Sequence, residues 1–520
     1  MYFGVILDTV SIQRYIFSTN NLKENLGASY IVAEKLYQTY LKEAIKEVFG
    51  EADKSLLENW EEEPEKISIK NGAPYELGYE GGGNAFILFA DEGKAKEFIK
   101  HWSKRLLIYC PGVIASAAVG RIELDENFSH SLKALFETLA QNKTTFVPQT
   151  VIPKHGITAD CARTGYSREI WCNSLPDDEK DYISSVANAK ITAVYETTKK
   201  YREILENVIE ENKLPHNYEF TNDLEQLGQV KNKESHIAIV HIDGNDMAKR
   251  FIEQKSLTDL RKLSSSVKKA TLKSFKFMLR KLIEKLPEML NEFSLQKKDK
   301  KTILPLRPII IGGDDITFVS EGRLGVWLAK IFLEEFEKQK VSDGLPLSAC
   351  AGVAITKTKY PFYRGYILSE QLLKNAKDKR KNLDDSGSWI DFHLSYGGFS
   401  GTLAQIRKNH YRTSHCELTL RPYKLSDLDE LLRGVYELKK KDERGKSRYP
   451  RTKIMKLRET LYLGRNSQEL FEQELTAKGL KLPGYKEFDG KIIVKDAKTP
   501  YLDMIELMEF YPDFALNGGE

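Results

Sequence analysis

The sequence predicts an α+β fold containing two copies of one unit, each an antiparallel sheet with helices packed on one face. Three observations predict it. Four landmarks recur in the same order in two parts of the chain. Their spacings agree: 73 positions separate Asp8 from Gly81 and 69 separate Asp243 from Gly312, while 32 separate Asn84 from Ser116 and 33 separate Asp315 from Ser348. Each copy also reads strand, helix, hairpin, helix, strand, helix, an order that layered α+β domains use.

The first copy opens with the strand YFGVILD, which ends at Asp8. A mostly helical stretch follows, then the apolar hairpin GYEGGGNAFILF, the small-residue strand VIASAAVGRI and the helix SHSLKALFETLAQNK. The second copy opens with HIAIVHID, ending at Asp243, and continues with the hairpin RPIIIGGDDITFV, the strand LSACAGVAI and the helix ILSEQLLKNAKDKRKN. The helices after the hairpins, KAKEFIKHWSKRLLIY and RLGVWLAKIFLEEFEKQ, repeat apolar residues near every 3.6 positions, as packing on a sheet requires. Between the copies lie a Pro-containing loop, VPQTVIPKHG, and a long helical run. After the Gly-rich stretch SYGGFSGTL the texture becomes amphipathic helix. The domains expected are therefore a first unit at 1–145, a helical linker at 146–234, a second unit at 235–395 and a C-terminal helical domain at 396–520.

Composition excludes several classes. At 41% hydrophobic and 30% charged residues, the 520-residue chain can bury a core and is not wholesale disordered. Its 79 basic and 75 acidic residues nearly balance, which argues against a generic nucleic-acid coat. Five scattered cysteines make no disulfide framework and fit a reducing cytoplasm. No apolar run is long enough to span a bilayer, and MYFGVILDTVSIQR lacks the basic start of a signal peptide, so no membrane partner is expected.

The chemistry concentrates in the second copy. Asp243 ends a run of β-formers and is followed by Gly244 and Asn245; Asp314 and Asp315 sit at the Gly312-Gly313 turn. If the two strands are neighbours, these carboxylates share one sheet edge. Like charges so close call for a hard, oxygen-preferring cation such as Mg²⁺. Two such ions about 3.5–4 Å apart can activate a hydroxyl and steady a leaving pyrophosphate. The glycines leave room for a nucleotide. Lys377 is in reach of a triphosphate as a point charge, whereas Lys374 reads as a solvated helix face. The first copy keeps Asp8 but carries Gly82, Gly83 and Asn84 at its hairpin, a poor metal site. That hairpin either cradles a second nucleotide, with Asn84 bonding a base or ribose, or is a structural pseudo-repeat.

The pattern resembles the large, polymerase-like subunit of type III CRISPR effector complexes, which carries two palm domains. The resembling residues are IQRYIFSTNNLKENLGASY (12–30), EGGGNAFILF (80–89), HIDGNDMAKRF (241–251), IIIGGDDITFV (309–319) and the C-terminal helical segment. The resemblance implies two ferredoxin-like palm domains of the nucleotide cyclase and polymerase type, the first degenerate, with an inter-palm helical linker and a C-terminal helical domain. It implies a nucleotidyltransferase that turns ATP into 3′–5′ cyclic oligoadenylate, a second messenger of antiviral defence. Asp243, Asp314 and Asp315 are then the catalytic carboxylates that hold two Mg²⁺ or Mn²⁺ ions, Asp315 as ligand or base, and Gly312, Gly313, Gly244, Asn245, Lys377, Gly82, Gly83 and Asn84 meet nucleotide. Effector subunits and guide or target RNA are the implied partners. None of the nine histidines is followed by Asp, so the His-Asp nuclease of many family members is not expected. Nor is the family's Cys-x-x-Cys zinc module: Cys161 and Cys172, with His155 and His216 near in sequence, have no standard zinc spacing. KKDKK (297–301) reads as a loop, and the basic stretch 439–451 as either a solvated loop or an RNA contact. Two other functions remain open: a catalytically silent RNA- and protein-binding scaffold, and a palm enzyme that adenylates a small acceptor or cyclises one nucleotide.

Overall fold

The computed structural model describes residues 1–145, 156–227, 229–230, 234–290, 293–395, 401–441, 445–486, 488, 490–492 and 497–516. The expected loop after 145, His155 and most of the Gly-rich stretch after 395 lie outside these residues.

The first sheet comprises β1 (Tyr2–Val10), β2 (Tyr75–Gly81), β3 (Asn84–Phe89) and β4 (Ile114–Ile122), in the order β2-β3-β1-β4, all antiparallel. Helices α1 (Leu22–Tyr30) and α2 (Tyr40–Phe49) link β1 to the hairpin, α3 (Glu92–Tyr109) links the hairpin to β4, and α4 (Phe128–Thr145) closes the unit. The long α5 (Ser185–Glu211) then crosses to the second sheet. That sheet contains β5 (His236–Gly244), β6 (Leu306–Gly312), β7 (Asp315–Glu321), β8 (Ala349–Lys357), β9 (Trp389–Leu394) and β10 (Tyr423–Lys424), in the order β6-β7-β5-β8-β9-β10. Its helices are α6 (Leu257–Met289), α7 (Gly325–Lys338) and α8 (Phe362–Asn382). The first four strands repeat the order of the first sheet, and both hairpins carry a bulge at the same place, Leu77/Tyr79 and Pro308/Ile310. Both units are thus ferredoxin-like, as expected.

Three features differ from the sequence reading. Cys350, not Ser348, stands opposite Asp243, as Ser116 stands opposite Asp8. Both strands are rich in small residues, so a two-residue slip preserves every face and leaves no trace in the pattern. The second sheet also gains β9, parallel to β8, and then β10. Finally, KKDKK is a tight hairpin: Lys297–Lys298 pairs with Lys301–Ile303, with Asp299 and Lys300 at positive φ in the turn.

The C-terminal part packs α9 (Leu425–Lys439), α10 (Arg451–Leu461), α11 (Arg465–Ala477) and α12 (Tyr501–Phe510) onto the second unit. One core spans the second unit and this part; another fills the first unit and reaches Ile239, Ile309 and Val319 of the second sheet. Among the described residues no helix is long and apolar enough to cross a membrane. All five cysteines are free and buried, Cys161 and Cys172 in a small apolar cluster with Ile183, Ala187 and Ile191.

Candidate functional site

β-Branched residues build β5 up to Asp243, and the antiparallel register sets Asp315 directly across from it. Residues opposed in such a pair project to one face, so Asp243, Asp315 and His241, two residues back, share the α8 side of the sheet. The chain reverses through Gly313, at φ +58°, and the Asp314 carbonyl accepts from the Gly244 N–H at 3.2 Å. A Cβ at position 244 would lie 2.8 Å from Asp314 Oδ2. Glycine there lets the Asp314 carboxylate settle against the end of β5. Burial, with the charge of Asp315 beside it, holds the Asp314 carboxyl well above its usual range.

Each neighbouring carboxylate meets a cation or a ring. The Lys377 ammonium donates to Asp243 Oδ2 and, at 3.1 Å, to the Gly244 carbonyl. Burial, then Lys381 and Arg380, draws Lys377 down to about 8. His241 Nε2 lies 3.1 Å from Asp315 Oδ1. Arg380 grips Asp246 with two bonds of 2.7 and 2.9 Å. Asn245, expected to meet nucleotide, is turned into the wall: its amide donates to Ser348 Oγ at 3.0 Å and its oxygen accepts from the Cys350 thiol at 3.3 Å. Lys374 is exposed.

The first unit repeats this geometry with different chemistry. Asp8 stands opposite Asn84, and the Gly83 carbonyl accepts from the Thr9 N–H at 3.0 Å, matching Asp314 and Gly244. Gly83 and Asn84 thus hold the places of Asp314 and Asp315. Lys143, from the closing helix α4, pairs with Asp8 at 2.5 Å as Lys377 does with Asp243. Sequence reading missed Lys143; its only signal was its place on the closing helix of the repeat. Asn84 Oδ1 is buried without a hydrogen-bond partner among the described residues.

The two hairpin tips touch. A Cβ on Gly313 would come within 3.4 Å of Gly82 Cα. A cavity lies on each side of this contact. One, of about 620 Å³, is lined by Asp8, Asn84, Asp243, Asp314, Lys377 and Arg380. The other, of about 570 Å³, is lined by Gly83, Gly312, Asp243, Asp314, Asp315 and Lys200. Both include Glu80, Gly81, Gly82, Gly313 and Lys268.

Among the described residues no three His, Cys, Asp or Glu side chains cluster so as to hold a metal ion alone. The donors fit a different arrangement. Mg²⁺ commonly takes one or two carboxylates and completes its shell with substrate phosphates and water. Asp243 and Asp314 line both cavities, and the Gly244 carbonyl lies beside them. The Lys377 ammonium occupies this oxygen set as a cation would. The set suits an ion delivered with a nucleotide, with Asp315 in the wall of the same cavity.

This fold and acidic hairpin define a palm-type domain. Residues 236–383 match the family model of the Cas10/Cmr2 second palm domain. The chain as a whole is Cas10-like in fold. It is similar to a Csm1–Csm4 cassette in complex with pppApA, at 14% identity and a TM-score of 0.56, over 98% of this chain and 69% of that chain. It is similar to a cassette in complex with one ATP, at 14% identity and 0.56, over 98% and 70%. A cassette in complex with cA4 matches at 12% identity and 0.53, over 98% and 70%. No curated protein sequence matches the chain.

Proposed function

We propose that the chain is a nucleotidyltransferase that joins ATP through 3′–5′ linkages into a cyclic oligoadenylate, with release of pyrophosphate, as the signal-making subunit of a type III CRISPR-like defence complex. One observation carries this reading: the acidic tip Asp314-Asp315 meets the end of β5 at Asp243 while touching the glycine hairpin of the first unit, with a nucleotide-sized cavity on either side. Solved cassettes of the same fold hold ATP, pppApA and cA4.

In this reading one ATP lies on the first hairpin and presents its 3′-hydroxyl. A second lies on the Gly312-Gly313 turn with its phosphates toward Asp243 and Asp314. A bound Mg²⁺ or Mn²⁺ would neutralise the phosphates and lower the cost of the attacking oxygen's charge. Asp243 and Asp314 would hold that ion, and Asp315 stays fixed by His241. A bond forms between the 3′-oxygen, whose proton passes to solvent, and the α-phosphorus as the α–β bridge breaks. Lys377, released from Asp243, and Lys381 follow the leaving pyrophosphate. Such in-line transfer depends on positioning and charge more than on covalent help from protein. A Csm4-like subunit and guide or target RNA are the partners this reading assigns.

A second reading, the silent scaffold, draws on the Lys377–Asp243 ion pair, which occupies the site. Incubation with each NTP and Mg²⁺ or Mn²⁺, followed by mass spectrometry, separates the two. Cyclic oligoadenylate from ATP, abolished by Asp314→Ala with Asp315→Ala, is the expected result. Copurifying RNA with no turnover of any nucleotide favours the scaffold.

A further inference from the structure

A cavity of about 750 Å³ lies away from the hairpin tips, between α5, the segment Tyr218–Gln226 and β6. Arg307, on β6, stands in its wall and is fully buried. None of its three guanidinium nitrogens has a hydrogen-bond partner among the described residues. Its contacts are the rings of Tyr201 and Phe220, at 5.4 and 5.8 Å. Ring faces offset part of a cation's charge but leave the N–H donors unmet.

The repeat shows what is missing. Arg307 precedes Gly312 by five positions, as Glu76 precedes Gly81, and each is opposed by the matching residue of its hairpin, Val319 and Leu88. Glu76 is buried as well, but its charge is met: Arg261 pairs with it at 3.0 Å. No carboxylate pairs with Arg307 among the described residues. A buried charge without a partner is costly, and folds retain such groups where something else completes them. Burial brings Arg307 down to about 10, so it stays charged at neutral pH.

The surroundings suit an oxyanion. Lys23, Lys298 and Lys301 line the same cavity and have no ion-pair partner among the described residues. Asn222 Oδ1 is buried and unpartnered, an acceptor for a ligand's donor. Glu206, Glu210, Glu219 and Asp223 also line the cavity, which disfavours a long polyphosphate and favours a single phosphate group. A guanidinium binds phosphate as a planar fork.

We propose that this cavity is an anion site, separate from the hairpin tips, that takes one phosphate group, free or carried on a mononucleotide, with Arg307 as the fork and Lys23, Lys298 and Lys301 as its outer cations. The test is calorimetric titration of the full chain with inorganic phosphate and, separately, with AMP. Arg307→Met should weaken binding about ten- to hundredfold, the loss of one charge-assisted contact. Asp243→Asn with Asp314→Asn should leave this binding unchanged, which keeps the outcome independent of the catalytic reading. Binding of both probes assigns the phosphate alone; binding of AMP alone assigns the nucleotide. The proposal is overturned if Arg307→Met binds as the native chain does, or if neither probe binds. Should Arg307→Met not fold, Lys301→Glu at the rim replaces it: about tenfold weaker binding is expected, and unchanged affinity overturns the proposal.

Discussion

Asp243 and Asp8 hold one position in two copies of a sheet, and each is answered by a lysine from the closing helix. What separates the copies is the tip: Asp314 in one, Gly83 in the other. Asp243→Asn should therefore abolish turnover while leaving the fold intact, because Lys377 keeps the Gly244 carbonyl as an acceptor. Circular dichroism with a pyrophosphate-release assay checks both parts. Glu80 gives the pH dependence. Chiefly through burial, it is raised to about 7. The folded chain then holds this proton up to about pH 7, but the unfolded chain only to the ordinary glutamate value of 4.5. The folded state binds more protons across that window, so stability falls as pH rises through it. Glu80→Gln should flatten the fall and gain about 1–2 kcal/mol over the native chain at alkaline pH. Urea unfolding on both sides of the window measures this.

At the scale of elements, the close approaches are made by glycine. Gly313 holds φ +58° against Gly82. Gly313→Val should part the two tips and cut turnover at least about tenfold, with far-UV dichroism unchanged. Gly27 on α1 meets α5 so closely that a Cβ would sit 1.7 Å from the Lys190 carbonyl. Gly27→Ala should cost about 3 kcal/mol in a denaturant titration, since two helices must move apart. Most of these elements are legible in the sequence. The opening strands and hairpins announce themselves by β-branched runs broken at Gly81–Gly83 and Gly312-Gly313, and the closing helices by their period. The acidic trio is legible for the same reason, since turn residues and carboxylates are local signals. Long-range placement is not legible. Nothing in one sequence says that Lys143 reaches Asp8 or that Asn245 faces Cys350. Nor does it show that Trp389–Leu394 adds to the sheet, because each depends on a crossover whose end point no local pattern records.

The two units act as one body through buried polar clamps. Arg261, on α6, donates to the Leu77 carbonyl at 2.5 Å and the Lys66 carbonyl at 2.9 Å, and pairs with Glu76. Ser29 and Tyr201 both donate to the Ile309 carbonyl, at 2.6 and 2.9 Å, three residues before Gly312. Arg261→Met should cost about 3–5 kcal/mol, because Glu76 is left buried without its partner. Limited proteolysis should then cut between the units. The proposed function requires the two facing hairpins to form one nucleotide-joining site. The most direct measurement is mass spectrometry of products after the purified chain, with the proposed effector partners and target RNA, meets ATP and Mg²⁺. Cyclic adenylates with matching pyrophosphate, lost in Asp243→Asn and in Gly313→Val, are expected. ATP left unchanged by the assembled, target-bound complex, or products undiminished in both variants, would contradict the account.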